Sequence, residues 1–129
     1  MADLCLKGAR ILVVEDEAII ALDLSAMLSR AGAEIVGPVA TLAEAQARAA
    51  VPDLSAAILD VRLGEDNVWT VARALAERQV PLLFHTGHGS MQGLKSAWPG
   101  CEVLVKPAPE RALLTALSAM LERSTRRRD

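Results

Sequence analysis

The stretch AAILDVRLG, residues 56–64, decides the fold, because a short apolar run delivers a single carboxylate, Asp60, near its end. Pro52 and Asp53 bound the run on one side and Gly64 on the other, which is typical of a buried strand in a parallel sheet. In open α/β sheets, ligands bind at the carboxyl ends of the strands, where Asp60 would lie. Taken alone, Asp60 is more simply explained as a helix cap or the start of a turn, so the other strand ends must decide between this and a ligand site.

Length and composition restrict the class of protein. With 129 residues, of which 52% are hydrophobic, the chain is long enough for one domain with a full core and too short for two ordinary ones. A net charge of −2 gives no general attraction to nucleic acid or to anionic membranes. Its aromatic residues are Trp69, Phe84 and Trp98, too few for extensive base stacking. We therefore expect neither nucleic acid nor membrane partners.

The first residues of the sequence do not have the pattern of a secretory signal. The first eight residues lack the basic start and long apolar region of a signal peptide, and no apolar stretch approaches the length of a membrane span. We therefore expect a cytoplasmic protein in which Cys5 and Cys101 are free thiols.

Strand-like and helix-like segments alternate five times along the chain. The predicted strands cover residues 10–14, 34–39, 56–60, 80–85 and 101–105. Apolar residues at helical spacing follow each of them, beginning near Ala18, Leu42, Val68, Ser90 and Glu110. Residues 63–67 are predicted to form a loop, and the helix near residues 90–98 is weakly patterned. This alternation with short connections predicts an α/β fold, a parallel sheet with helices on both faces.

Local signals support these boundaries. Gly32 follows the first helix as a C-terminal stop. Thr41 and Glu44 have the spacing of a capping box at the start of the second helix. Pro38 indicates that the second strand lies at an edge of the sheet, because proline cannot donate a ladder hydrogen bond.

Four predicted strands end in polar residues that could act together, namely Glu15 and Asp16, Asp60, Thr86, and Lys106. If the strands are parallel, these ends lie on one edge of the sheet. Carboxylates so close together repel one another unless a cation lies among them or a proton is shared. Mg²⁺ prefers hard oxygen ligands, and a lysine and a hydroxyl suit a phosphoryl group. The pattern indicates a site where a carboxylate attacks phosphorus with metal assistance.

These motifs, in this order and at these strand ends, resemble the phosphoacceptor site of the receiver domain of two-component response regulators. The resemblance covers about residues 9–123 and leaves 1–8 and 124–129 as short terminal tails. It implies a flavodoxin-like (βα)5 fold, a doubly wound parallel five-stranded sheet with strand order 2-1-3-4-5.

The resemblance also implies a role for each site residue. Asp60 would be the nucleophile that accepts a phosphoryl group. Asp16 and Asp60 would ligate Mg²⁺ directly, Glu15 mostly through water, and the backbone carbonyl of Arg62 would complete the protein ligands. Lys106 would pair with the phosphoryl group.

Two further expectations follow from the resemblance. Thr86 would turn inward to bond a phosphoryl oxygen and so report phosphorylation at the surface. The peptide bond before Pro107 is expected to be cis, which would help to aim Lys106 into the site.

The sequence also departs from the usual receiver pattern. Many receivers have a switch aromatic three residues before the lysine, where this chain has Val103. The fourth strand is similar to a receiver subgroup with a Phe-Ala-Thr-Gly motif, in which His85 here replaces the alanine. We hypothesise that phosphorylation instead reorganises residues 87–93 and the weak helix that follows. His85 and His88 make a poor zinc set, because no cysteine or third ligand lies near them.

The predicted function is that of a stand-alone signalling switch. A sensor histidine kinase or a histidine phosphotransfer protein would phosphorylate Asp60 and change the binding of an unknown downstream protein target or of a second copy in a homodimer. We do not expect an enzyme beyond self-catalysed phosphotransfer and autodephosphorylation.

Two alternative functions remain open from the sequence. One is a degenerate receiver that acts as a phosphorylation-independent interaction module. The other is an Asp-dependent phosphohydrolase. Such enzymes typically carry a second aspartate two residues after the nucleophile, where this chain has Arg62.

Overall fold

The computed structural model of the protein describes residues 5–87 and 91–128, without the side chains of residues 91 and 125–128. Strands and helices alternate along this part of the chain, as the sequence predicts. The strands are β1 (Arg10–Val14), β2 (Glu34–Val39), β3 (Ala56–Leu59), β4 (Arg62–Leu63), β5 (Asp66–Asn67), β6 (Leu82–Thr86) and β7 (Glu102–Val105). The helices are α1 (Ala18–Arg30), α2 (Leu42–Arg48), α3 (Trp69–Glu77), α4 (Met91–Ala97) and α5 (Glu110–Arg128).

Five of the strands form one parallel sheet in the order β2-β1-β3-β6-β7. Counted over these five strands, this is the predicted order 2-1-3-4-5. Alternate side chains of β3 pack into two separate cores. Ile58 lies against α1 and α5, and Leu59 lies against α2, α3 and α4. Helices therefore cover both faces, and the doubly wound fold is confirmed.

The structure corrects two predicted boundaries near the acceptor strand and the strand beside it. Residues 63–67, predicted as a loop, belong to a short antiparallel hairpin in which β4 and β5 are joined by a turn at residues 64–65. The fourth long strand begins at Leu82 and not at Val80, because Val80 N–H donates to Leu75 O and still closes the end of α3.

Leu6 and the last turns of α5 lie in the segments predicted as short terminal tails. Leu6 is buried in the core against α1 and α5, and its N–H donates to Ala31 O at 2.7 Å. Helix α5 continues to Arg128, past the predicted boundary at 123, because no helix-breaking residue interrupts it. Cys5 and Cys101 are both free thiols, as expected. Across residues 5–87 and 91–128, no helix combines the length and the apolarity needed to span a bilayer.

The edge strand β2 and the start of α2 follow the local signals in the sequence. Pro38 lies in β2, which is an edge of the sheet, and the Gly37–Pro38 peptide is cis. Gly37 adopts φ +101°, and a Cβ there would lie 2.9 Å from Val39 N. Thr41 Oγ1 accepts a hydrogen bond from Glu44 N–H at 3.1 Å, which confirms the capping interaction.

All three aromatic residues lie together on one face of the sheet. Trp69 of α3 and Trp98, just after α4, stack at a centroid distance of 6.0 Å, and both rings contact Phe84 of β6. This cluster connects two helices to the strand that ends at Thr86.

Candidate functional site

The carboxyl ends of β1, β3 and β7 bring the predicted charged residues together. Glu15 and Asp16 directly follow β1, and Glu15 N–H continues the ladder to Val39 O at 2.9 Å. Asp60 directly follows β3, and its N–H donates to Val14 O at 2.9 Å. Lys106 follows β7 at the same edge of the sheet.

Lys106 lies at the centre of the cluster. Its Nζ donates to Asp60 Oδ2 at 3.0 Å, to Glu15 Oε2 at 3.0 Å and to Glu17 Oε1 at 3.2 Å. Burial acts to lower the pKa of Lys106, but the hydrogen bonds to Asp60 and Glu15 outweigh it and raise the pKa above its ordinary value. The ammonium is therefore held in its charged form. The Lys106–Pro107 peptide is cis, as predicted.

Glu15 is the most deeply buried carboxyl group of the cluster, with 1% of its side chain exposed. Burial raises its pKa from 4.5 to about 7, although the bond from Lys106 acts in the opposite direction. Its Oε2 accepts from Lys106 Nζ and from Glu17 N–H, whereas Oε1 is buried and has no hydrogen-bond partner among the described residues. One buried oxygen of the site is thus left without a donor.

Asp16 is exposed and connects the cluster to the β4–β5 hairpin. Its Oδ2 accepts a hydrogen bond from Gly64 N–H at 2.8 Å. Burial acts to raise the pKa of Asp16, but hydrogen bonds, first the one from Gly64, outweigh it and lower the pKa below 3.8. On the other side of the site, Arg62 N–H donates to Asp60 Oδ1 at 3.3 Å.

The donor set suits a hard divalent cation. Oxygens of Glu15, Asp16, Glu17 and Asp60 all lie within 4.8 Å of one another. The unpartnered Glu15 Oε1 adds a buried oxygen to this set. Carboxylate oxygens are the ligands that Mg²⁺ prefers, and Lys106 alone cannot balance four carboxyl groups. The residues present therefore fit the predicted cation.

Comparison with known proteins gives a match at the level of structure. No protein-family model and no curated protein matches the sequence. A response regulator receiver protein from Sinorhizobium medicae matches with TM-score 0.82 and 28% identity, over 92% of this chain and 98% of that protein. The chain has the receiver fold. A CheY-like receiver domain protein from Methanospirillum hungatei matches with TM-score 0.81 and 24% identity, over 92% of this chain and 98% of its own.

A longer protein of the same fold matches over part of its length. The response regulator PhyR from Brucella abortus has TM-score 0.83 and 22% identity, and the match covers 98% of this chain but 53% of that protein. At this identity the likeness concerns the fold.

The predicted hydroxyl residue, Thr86, lies at the end of β6, the strand that pairs with β7. Thr86 is the last residue of β6 and is buried, and its carbonyl accepts a hydrogen bond from Lys106 N–H at 2.9 Å. Val103 is also buried and pairs with Phe84, so the aromatic cluster described above lies beside the position of the missing switch aromatic.

His85 is buried, and neither ring nitrogen has a hydrogen-bond partner in the described part of the chain. Burial and the charge of Lys106 lower its pKa. It is not among the residues that could share a metal ion with the carboxylates. His88 and residues 89–90 of the loop predicted to reorganise lie outside the described residues.

Glu17 is the functional residue that the sequence interpretation missed. It caps α1 without a side-chain capping bond and instead contacts Lys106. The acidic run Glu15-Asp16-Glu17 was the only indication in the sequence that Glu17 could belong to the site. It was not decisive, because a side chain one position after Asp16 can point toward either the helix or the site.

Proposed function

We propose that this protein is a phosphorylation-dependent switch of a two-component system, in which Asp60 is the phosphoacceptor. The observation that supports this most directly is the contact between Asp60 Oδ2 and the partly buried Lys106, within a group of carboxylates at the ligand-binding edge of a receiver fold. Such a lysine can neutralise one charge of an incoming phosphoryl group.

The transfer step is a displacement at phosphorus. A carboxylate oxygen of Asp60 forms the new oxygen–phosphorus bond as the bond from phosphorus to the donor breaks. The donor atom is an imidazole nitrogen of a histidine kinase or a histidine phosphotransfer protein, and it leaves with the electron pair of the broken bond. The product is an acyl phosphate on Asp60.

The residues around Asp60 divide the remaining tasks. Asp16, Asp60 and the Arg62 carbonyl would hold Mg²⁺, with Glu15 mostly acting through water. When bound, the ion supplies positive charge among the carboxylates and the phosphoryl oxygens. Lys106 pairs with the phosphoryl group.

Transmission of the signal rests on Thr86 and its surroundings. Thr86 turns toward the phosphoryl group, and this movement is passed on without a switch aromatic, because Val103 has no comparable swing. The neighbouring Phe84, Trp69 and Trp98 link this strand to α3 and to the end of α4. We also propose that the chain belongs to the receiver subgroup with the Phe-Ala-Thr-Gly motif. Phosphorylation would change its binding to an unknown downstream target or to a second copy in a homodimer.

The experiment measures intact mass after incubation with acetyl phosphate, with and without Mg²⁺. The unaltered protein should gain one phosphoryl group only with Mg²⁺, and Asp60→Asn should gain none. Asp66→Asn is the matched control, because Asp66 is an exposed aspartate on the adjacent hairpin and should not change labelling. Label retained in Asp60→Asn would place the acceptor elsewhere.

The same experiment separates the alternatives. If neither acetyl phosphate nor beryllofluoride modifies the site, the phosphorylation-independent interaction module becomes the better explanation. Turnover of phosphate monoesters would instead favour a phosphohydrolase, a class for which the exposed Arg62 stands where the second aspartate is needed.

A further inference from the structure

The hydrogen-bonding capacity of Lys106 is fully used. A lysine ammonium has three N–H donors, and here three carboxylates accept from it: Glu15, Glu17 and Asp60. A phosphoryl group on Asp60 brings three new acceptor oxygens next to the same ammonium. The N–H that bonds Asp60 can turn to one of them, because phosphorylation consumes that carboxylate, and donation to a second oxygen requires Lys106 to release Glu15 or Glu17.

The two glutamates differ in how readily they can be released. The side chain of Glu15 is 1% exposed, whereas that of Glu17 is 61% exposed. A buried carboxylate that loses its lysine is left without water to replace it, which is costly. Glu17 can be hydrated as soon as it leaves. The contact that gives way is therefore the one between Lys106 and Glu17.

We propose that Glu17 acts as a brake on phosphorylation by competing with the phosphoryl group for Lys106. This inference rests on the proposed function of Asp60. Glu17 also adds a negative charge at the solvent side of the site, where a phosphodonor approaches. It is thus a positioning and specificity residue that disfavours small anionic donors.

The rival role of Glu17 is that of a cation ligand, since its carboxylate lies within 4.8 Å of the other three. The two roles predict opposite results when the charge is removed. A brake that is removed accelerates phosphorylation, whereas a lost ligand weakens Mg²⁺ binding and slows it. A purely structural role is small, because Glu17 makes no side-chain capping bond to α1.

The test compares the initial rate of phosphorylation by acetyl phosphate in saturating Mg²⁺, followed by intact mass. Glu17→Gln keeps the shape of the side chain and removes its charge. We expect it to react about three- to tenfold faster at low salt, as one charge near a dianion predicts, with a smaller ratio at high salt. Glu65→Gln is the matched control, an exposed glutamate on the hairpin, and should change the rate less than about twofold.

Affinity for Mg²⁺, measured by calorimetry on the same proteins, completes the test. Glu17→Gln with an unchanged or slower rate overturns the inference, and a slower rate with weaker Mg²⁺ binding assigns Glu17 to the metal. Failure of the inference differs from failure of the proposed function. In the first case the unaltered protein is labelled and the variant is not faster; in the second no protein is labelled, and both proposals fall.

Discussion

Replacing Glu15 with glutamine should stabilise the metal-free protein by an amount that grows as the pH rises. Glu15 has a folded-state pKa of about 7, above its ordinary 4.5, because it is buried. Between these two values the folded protein holds a proton that the unfolded chain has released. The contribution of protonated Glu15 to the free energy of unfolding is therefore complete below pH 4.5 and is lost as the pH rises through 7.

The size of the effect follows from the two pKa values. A difference of one in pKa corresponds to about 1.4 kcal/mol, so full ionisation of Glu15 costs the folded state roughly 3 kcal/mol at about pH 8. At about pH 5 the loss has reached roughly 1 kcal/mol. Glutamine has the same shape and does not ionise. We therefore compare the free energy of unfolding of Glu15→Gln with that of the unaltered protein. The advantage of the variant should increase by about 2 kcal/mol from about pH 5 to about pH 8.

Urea unfolding in the presence of a chelator, at about pH 5 and about pH 8, measures this difference. His85 is present in both proteins, so any contribution from it cancels in the subtraction. Glu65→Gln, at an exposed glutamate on the hairpin, is the matched control. The reasoning is refuted if the difference between Glu15→Gln and the unaltered protein is the same at both pH values.

Further predictions concern the packing of the sheet and its buried histidine. Gly37→Ala should lower the free energy of unfolding by more than about 2 kcal/mol in urea unfolding, because its Cβ would lie 2.9 Å from Val39 N at φ +101°. Gly8→Ala, at φ +87° with nothing within 4 Å, should cost only about 1 kcal/mol, and equal costs would contradict the argument. His85→Leu should raise the melting temperature at neutral pH, because the buried imidazole has no hydrogen-bond partner among the described residues. The increase should be larger below pH 6.5, because protonation of the buried imidazole is disfavoured in the folded state. A lower melting temperature would show that the imidazole is needed.

Much of the architecture could be predicted because it depends on patterns within short segments. The run that ends at Asp60 and the helical spacing after Ala18 each depend on neighbouring residues, and both elements formed as expected. The strand order needed the resemblance to a known fold, because local patterns do not state which strands are neighbours. The site residues could be placed on one edge for the same reason, since parallel strands share their carboxyl ends.

What the sequence could not provide depends on contacts between distant segments. Leu6 is buried because α1 and α5 pack over it, and nothing in the first eight residues indicates this. The contact between Glu17 and Lys106 joins residues 89 positions apart. The sequence around His85 does not indicate whether its ring is exposed or buried. Its burial without a hydrogen-bond partner among the described residues is seen only in the folded sheet.

The clustering of the aromatic residues makes the protein its own optical probe. The chain has no tyrosine, and its two tryptophans stack with an interplanar angle of 21° beside its single phenylalanine. Near-ultraviolet circular dichroism and tryptophan emission therefore arise from one location, where α3, β6 and the end of α4 meet. Any ligand or modification that displaces α4 relative to α3 changes this single signal, so such a movement can be followed in solution without an attached label.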